Sequence, residues 1–237
     1  GKKYWDNGKV EAEGIFKDGK LDGEGITYYE NGKVEKKGIF KNDELEGEGK
    51  YYGEDGKIYT QGNFIDGYLD GKGKTYHHEN NKIDQEGYFK DGELEGEGKK
   101  YHDNGRIYEE YNFEYGQLKG DGKRYWKNGR INEIGTFKEG KLHGEGKFYH
   151  EEGQIWVEGT FKNGFLIEGK TFHQNGKILD EGTYNDYYIN YYFIAKDYKK
   201  EYCYLDGVGK RYHKNGRLFQ EGTFVDGELV EGKTFLW

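Results

Sequence analysis

Proline, methionine and serine are absent from the 237 residues, and cysteine occurs once, as Cys203. Without serine the commonest hydroxyl nucleophile is missing. A single cysteine excludes an internal disulfide framework. Cys203 has His213 ten residues on, but no surrounding residue pattern marks an activated thiol, and a free cysteine commonly behaves as a small buried hydrophobe. No apolar run approaches the ~20 residues of a membrane-spanning helix. An excess of basic charge is also lacking: 37 Lys and Arg stand against 45 Asp and Glu, a net charge of −8. Nucleic-acid affinity rests on Lys and Arg neutralising phosphates, so that class of partner is excluded. A mean hydropathy of −1.18 would suit disorder, but 18% aromatic residues in strict periodicity do not.

What is present is glycine, tyrosine and a repeat. Gly14 to Lys37 reads as one unit, and the pattern restarts at Gly38. Asp18-Gly19 and Asn31-Gly32 are strong hairpin signals, and both are expected as type I′ turns. Between them run aromatic, β-branched and alternating charged residues, the composition of half-solvated strands. The turn recurs at Gly8, Gly32, Gly56, Asn81, Gly105, Gly129, Gly153, Gly176 and Gly216, with gaps of 24, 24, 25, 24, 24, 24, 23 and 40. One aromatic column runs Tyr4, Tyr28, Tyr52, Tyr76, Tyr101, Tyr125, Tyr149, Phe172, Tyr212, Phe235. A second runs Phe16, Phe40, Phe64, Phe89, Phe113, Phe137, Phe161, Tyr184, Phe224. With the aliphatic column that starts at Val10, these are the expected core. Gly23, Gly25 and their equivalents are expected to seat aromatic rings of neighbouring strands, since glycine within a strand marks close approach of another group. Each two-stranded unit is marginal alone and must lean on the next.

Phe-Lys-Asp-Gly-Lys-Leu-Asp-Gly-Glu-Gly at 16–25, with its copies at 40–49, 64–73, 89–98 and 137–146, resembles the MORN repeat. Typical MORN repeats carry Tyr two residues before the glycine that precedes the Phe; here Ala12, Lys36, Thr60 and Gln85 stand there. With its Asn-Gly-Lys turns, the chain is similar to the bacterial MORN-variant repeats of the YwqK-type antitoxin or immunity family. That resemblance implies protein binding and an antitoxin-like role; the lipid binding proposed for eukaryotic MORN proteins is a more distant implication.

Several chemical motifs come to nothing. Gly164–Thr171 and Gly227–Thr234 match the P-loop expression, but no helix pattern follows either, so no N–H cradle for phosphate forms. His77, His102, His150, His173 and His213 share a column with Trp5, Tyr29 and Trp126, where a flat ring is the common feature. Successive members stand two strands apart, roughly 10 Å, too far to share one zinc ion. The acidic column Glu24, Glu48, Glu97, Asp121, Glu145 fails as a calcium site by the same spacing and reads as a solvated face with Lys/Glu cross-strand pairs. No catalytic, cofactor or metal residues are assigned.

The pattern fails once. Residues 184–204 hold eight of the 24 tyrosines and no glycine, which suggests a degenerate repeat with a deletion. Tyr187, Tyr188, Tyr191, Tyr192, Phe193 and Tyr198 are the candidate partner-binding residues, because clustered rigid aromatics supply contact area at low entropic cost. A hydrophobic plug is the alternative role for the same rings.

The sequence therefore predicts an all-β protein: an elongated, single-layer, twisted antiparallel sheet of consecutive β-hairpin repeats with a period of about 24. It is expected as one repeat domain over 1–237, regular over 1–183 and 205–237 and degenerate over 184–204. The leading function is non-catalytic protein binding, immunity- or antitoxin-like. The alternatives are an extracellular or envelope spacer, with a homodimer through the terminal edge strands, and, more remotely, lipid binding or an enzyme. Composition points to a bacterium, in the cytoplasm or at the cell surface.

Overall fold

The computed structural model describes residues 1–184 and 204–236. All regular structure there is strand, and the chain divides into two compact units, Gly1–Gln117 and Leu118–Trp237. The first holds β1 (Lys2–Tyr4), β2 (Val10–Lys17), β3 (Lys20–Tyr28), β4 (Val34–Lys41), β5 (Glu44–Tyr52), β6 (Ile58–Ile65), β7 (Tyr68–Tyr76), β8 (Ile83–Lys90), β9 (Glu93–Tyr101) and β10 (Ile107–Glu114). The boundary falls at the start of β11 (Gln117–Tyr125). Then come β12 (Ile131–Lys138), β13 (Lys141–Tyr149), β14 (Ile155–Lys162), β15 (Phe165–Phe172), β16 (Ile178–Tyr184), β17 (Leu205–Tyr212), β18 (Leu218–Val225) and β19 (Glu228–Thr234). Within each unit every strand pairs antiparallel with its neighbour in the chain, as open meanders of consecutive hairpins. The expected all-β fold class is what the chain adopts.

Two turn types alternate. Asp18 (φ 52°) and Gly19 (φ 79°) both have positive φ, and Lys17 pairs with Lys20 across them, as a type I′ turn requires. At Asn42-Asp43 both central residues are non-glycine with φ of 51° and 75°. Asp43 Oδ1 accepts from Leu21 N at 2.7 Å, which offsets part of that strain. The Asn31-Gly32 turn and its counterparts one period apart differ from the expectation. Only Gly32 has positive φ (86°), Gly32 N donates to Tyr29 O at 2.8 Å, and Tyr29 N donates to Lys33 O at 2.9 Å. That is a type I turn over Glu30-Asn31 followed by a left-handed glycine. Asn31 prefers this geometry because its Oδ1 accepts from Lys33 N at 2.8 Å, an Asx turn that a type I′ conformation would forfeit. In the fourth such loop Asn81 takes the left-handed place (φ 56°) one residue later, which accounts for the gap of 25.

The core also departs from the expectation. The most deeply buried column is leucine: Leu21, Leu45, Leu94, Leu118, Leu142 and Leu166 are each 1% exposed or less. Phenylalanines from Phe40 to Phe224 fill the neighbouring places, but the first tyrosine column is half-buried, and Tyr4 is 56% exposed. The glycines seat these leucines, not aromatic rings. A Cβ on Gly25 would lie 2.7 Å from Leu21 Cδ2, and one on Gly14 would lie 2.4 Å from Glu24 O. Gly14, Gly25, Gly38 and Gly49 form a row across the strands, so each leucine folds down over a track without side chains. That is how a sheet of such low hydropathy assembles a dry interior. Each fully buried leucine contributes about 1.5–3 kcal/mol.

Candidate binding surface

The chain between β16 and β17 is the longest departure from the repeat. A degenerate repeat would place strands of its own between them. Instead β16 and β17 pair directly: Asp180 with Arg211, Gly182 with Gly209, Tyr184 with Leu205. The equivalent hairpin pairs Phe161 with Leu166 across a two-residue turn. Pairing thus passes directly from β16 to β17 on either side of residues 185–203. Tyr187, Tyr188, Tyr191, Tyr192, Phe193 and Tyr198 lie outside the described residues.

The base from which that stretch departs is heavily bonded. Arg211 Nε donates to Asp180 Oδ1 at 2.9 Å, its Nη1 donates to Gly227 O at 2.9 Å, and its guanidinium lies 5.4 Å from the Phe224 ring centre. Asp180 is 4% exposed; burial pushes its carboxyl above the usual range, against the pull of Arg211. Thr183 Oγ1 donates to Asp206 O at 2.6 Å. Tyr212 OH donates to Glu181 Oε1 at 2.5 Å, and burial together with that carboxylate pushes the phenol up to about 12.

Two further repeats carry the same device. Arg124 binds Glu133 at 2.9 Å, reaches Gly140 O at 3.0 Å and lies 5.5 Å from Phe137. Lys100 stands 3.8 Å from Glu109, reaches Gly116 O and lies 5.5 Å from Phe113. Thr27, Tyr51, Thr75, Phe148, Thr171 and Thr234 stand at the same place in other repeats, and Lys3 there pairs with Glu11 at the exposed β1, so no fixed motif betrayed it. A buried pair of this kind is weak evidence for stability, yet breaking one is costly.

On the opposite parity, Lys147, Glu158, Lys170, Glu181, Lys210, Glu221 and Lys233 face each other strand by strand in alternating charge. This is the charged face expected from the sequence, although the ladder lies one row from the acidic column itself. Its pairs, such as Lys147–Glu158 at 3.0 Å, are largely solvated and contribute about 0.2–1 kcal/mol each.

The aromatic and histidine column stitches repeat to repeat. Tyr29 OH donates to Tyr52 O at 2.6 Å, and Trp126 Nε1 donates to Tyr149 O at 3.1 Å. His77 Nε2 and His173 Nε2 lie 3.2 and 3.3 Å from the carbonyls of Tyr101 and Tyr212. A carbonyl can only accept, so these rings carry their proton on Nε2. Both P-loop look-alikes are hairpins: Gly164 and Gly227 are left-handed turn glycines that lead into β15 and β19.

The hairpin period, the glycine row and the turns agree with a family model described as MORN repeat variant, which matches residues 1–18, 21–42, 94–115, 142–163, 167–186 and 205–226, more than half of the chain. The chain belongs to the MORN-repeat family. A second model, MORN repeat, matches 37–58 and 61–77. The variant repeats stop at 186 and resume at 205, on the two sides of the Tyr-rich stretch. MORN repeats are commonly protein- or membrane-binding modules and are generally non-catalytic. A comparison with curated proteins gave no match. Among the described residues no helix is long and apolar enough to cross a membrane.

Proposed function

We propose that this MORN array is a non-catalytic scaffold whose partner is a protein, engaged through the Tyr-rich stretch between β16 and β17. The observation that carries the reading is the direct register of Tyr184 with Leu205. An array that needs two residues to turn here carries a stretch with Tyr187, Tyr188, Tyr191, Tyr192, Phe193 and Tyr198 instead. Regular repeats satisfy their leucines and glycines internally, whereas these rings have no glycine row of their own. Tyr is a frequent interface anchor because its ring offers area and its hydroxyl stays hydrated. An antitoxin or immunity role, implied by the resemblance to the YwqK-type family, is the finer form of the proposal.

The test is the Tyr191→Ser, Tyr192→Ser double variant, assayed against the product of the adjacent gene. A tight complex with the native protein, lost in a variant with unchanged melting, supports the reading. Lost stability with retained binding would make the stretch a plug. A spacer that assembles through its edges is the second reading. It is favoured by β19, a seven-residue strand paired on one side among the described residues, with Val230 61% exposed. Concentration-dependent assembly, abolished by proline within β19, would favour that reading.

A further inference from the structure

The loops that close the Asn-Gly turns are not chemically equivalent. In six of them, the asparagine Oδ1 accepts from the backbone N–H two residues on: Lys9 N to Asn7, Lys33 N to Asn31, Arg106 N to Asn104, Arg130 N to Asn128, Lys177 N to Asn175 and Arg217 N to Asn215, at 2.8–3.1 Å. Three of these carboxamides are also held from the other end. Asn128 Nδ2 donates to Glu151 O at 2.9 Å and Asn175 Nδ2 to Lys214 O at 2.8 Å, each in the next repeat. Asn31 Nδ2 reaches Glu54 O at a longer 3.4 Å. At Asn7 the corresponding carbonyl, Glu30 O, is taken by Lys9 Nζ at 2.8 Å. Asn7 Nδ2 and Asn215 Nδ2 have no partner among the described residues, and both residues are exposed.

An asparagine followed by glycine is open to attack by its own backbone. The glycine nitrogen, after losing its proton, adds to the side-chain Cγ. The Cγ–Nδ2 bond breaks, ammonia leaves with that proton, and a succinimide remains. Water then opens the ring at either carbonyl, giving aspartate or isoaspartate, so the net change is Asn plus water to Asp or isoAsp plus ammonia. The attack requires the carboxamide to turn its carbon face toward the glycine nitrogen. A carboxamide bonded at both Oδ1 and Nδ2 is fixed in its plane, whereas one bonded at Oδ1 alone can rotate about that anchor.

We propose that Asn7 and Asn215 are spontaneous deamidation sites of this protein, and that the repeat-to-repeat bond from Nδ2 protects their counterparts in the order Asn128 and Asn175 over Asn31. The reactants are the carboxamide of Asn7 or Asn215, the nitrogen of the following glycine and water. One hydrogen bond is worth a rate factor of roughly two- to tenfold, so Asn7 and Asn215 should lead Asn128 and Asn175 by about that factor and Asn31 should fall between. In isoaspartate the backbone path gains a methylene. The turn that sets the pairing of Tyr4 with Val10 is then broken, while an aspartate keeps the Oδ1 anchor.

The experiment is incubation of the folded protein at mildly alkaline pH, with peptide mapping by mass spectrometry of all seven Asn-Gly sites over time, and a parallel incubation in denaturant. Conversion at Asn7 and Asn215 ahead of Asn31, and of Asn31 ahead of Asn128 and Asn175, with the order collapsing in denaturant, is the result expected. Equal rates in the folded protein would overturn the proposal. So would an order that persists in denaturant, because the cause would then be local sequence and not the loop contacts.

Discussion

Gly105 sits at a left-handed φ of 86° in an exposed loop. A β-branched residue there is strained whatever the space around it. Gly105→Val should therefore destabilise by more than the ~1 kcal/mol of an ordinary substitution, read as a lower melting temperature. Unchanged melting would contradict the loop geometry. Leu142, 1% exposed over Gly135 and Gly146, is a sharper probe. Leu142→Ala removes packing that the flat glycine row cannot collapse to refill, so about 2–5 kcal/mol should be lost by denaturant unfolding. Tyr28 donates to Glu13 Oε1 at 2.6 Å, and that carboxylate together with burial pushes the phenol up to about 12. Its folded pKa lies above the unfolded value near 10, so its contribution is full below pH 10 and is lost as pH rises toward 12. Melting followed over that window should fall less steeply in Tyr28→Phe than in the native protein; parallel curves would remove Tyr28 from the account.

At the scale of the strand and hairpin, much was legible. Period-2 alternation, Asp-Gly and Asn-Gly fixed where strands begin and end, because turn chemistry is local. Two things were not. Leu21 recurs at Leu45, Leu69, Leu94, Leu118, Leu142 and Leu166 as regularly as the aromatic columns. It stands beside the turn within charged surroundings, however, and its depth of burial comes from Gly25 on its own strand together with Gly14 on the neighbouring one. The second was the meaning of residues 184–204. Lost glycines and a gap between one and two repeats fit a deletion as well as an insertion, and only the pairing of Asp180 with Arg211 distinguishes them. The ring column adds a prediction at this scale. Trp126→Phe keeps the ring and removes the donor to Tyr149 O, so it should cost about 1 kcal/mol, measured by thermal unfolding. A cost near zero would mean that the ring alone matters.

For the molecule as a whole, stability of a repeat array is close to a sum of unit and nearest-neighbour terms, so changes confined to one turn stay local. The central claim is that, in the second unit, the Tyr-rich stretch is an addition to one hairpin whose strands β16 and β17 pair as the others do. Candidate partner-binding residues and scaffold are then separable, which is what a binding module requires. Replacing residues 185–204 with the sequence of the regular hairpin, residues 162–165, tests this most directly when thermal unfolding is followed by circular dichroism. A change below 1 kcal/mol shifts melting by no more than about 2–4 °C for a chain of this size, and the account predicts a folded, all-β variant within that margin. Loss of the folded signal, or a fall far beyond it, would mean that residues 185–204 supply strands or core of their own, and would contradict it.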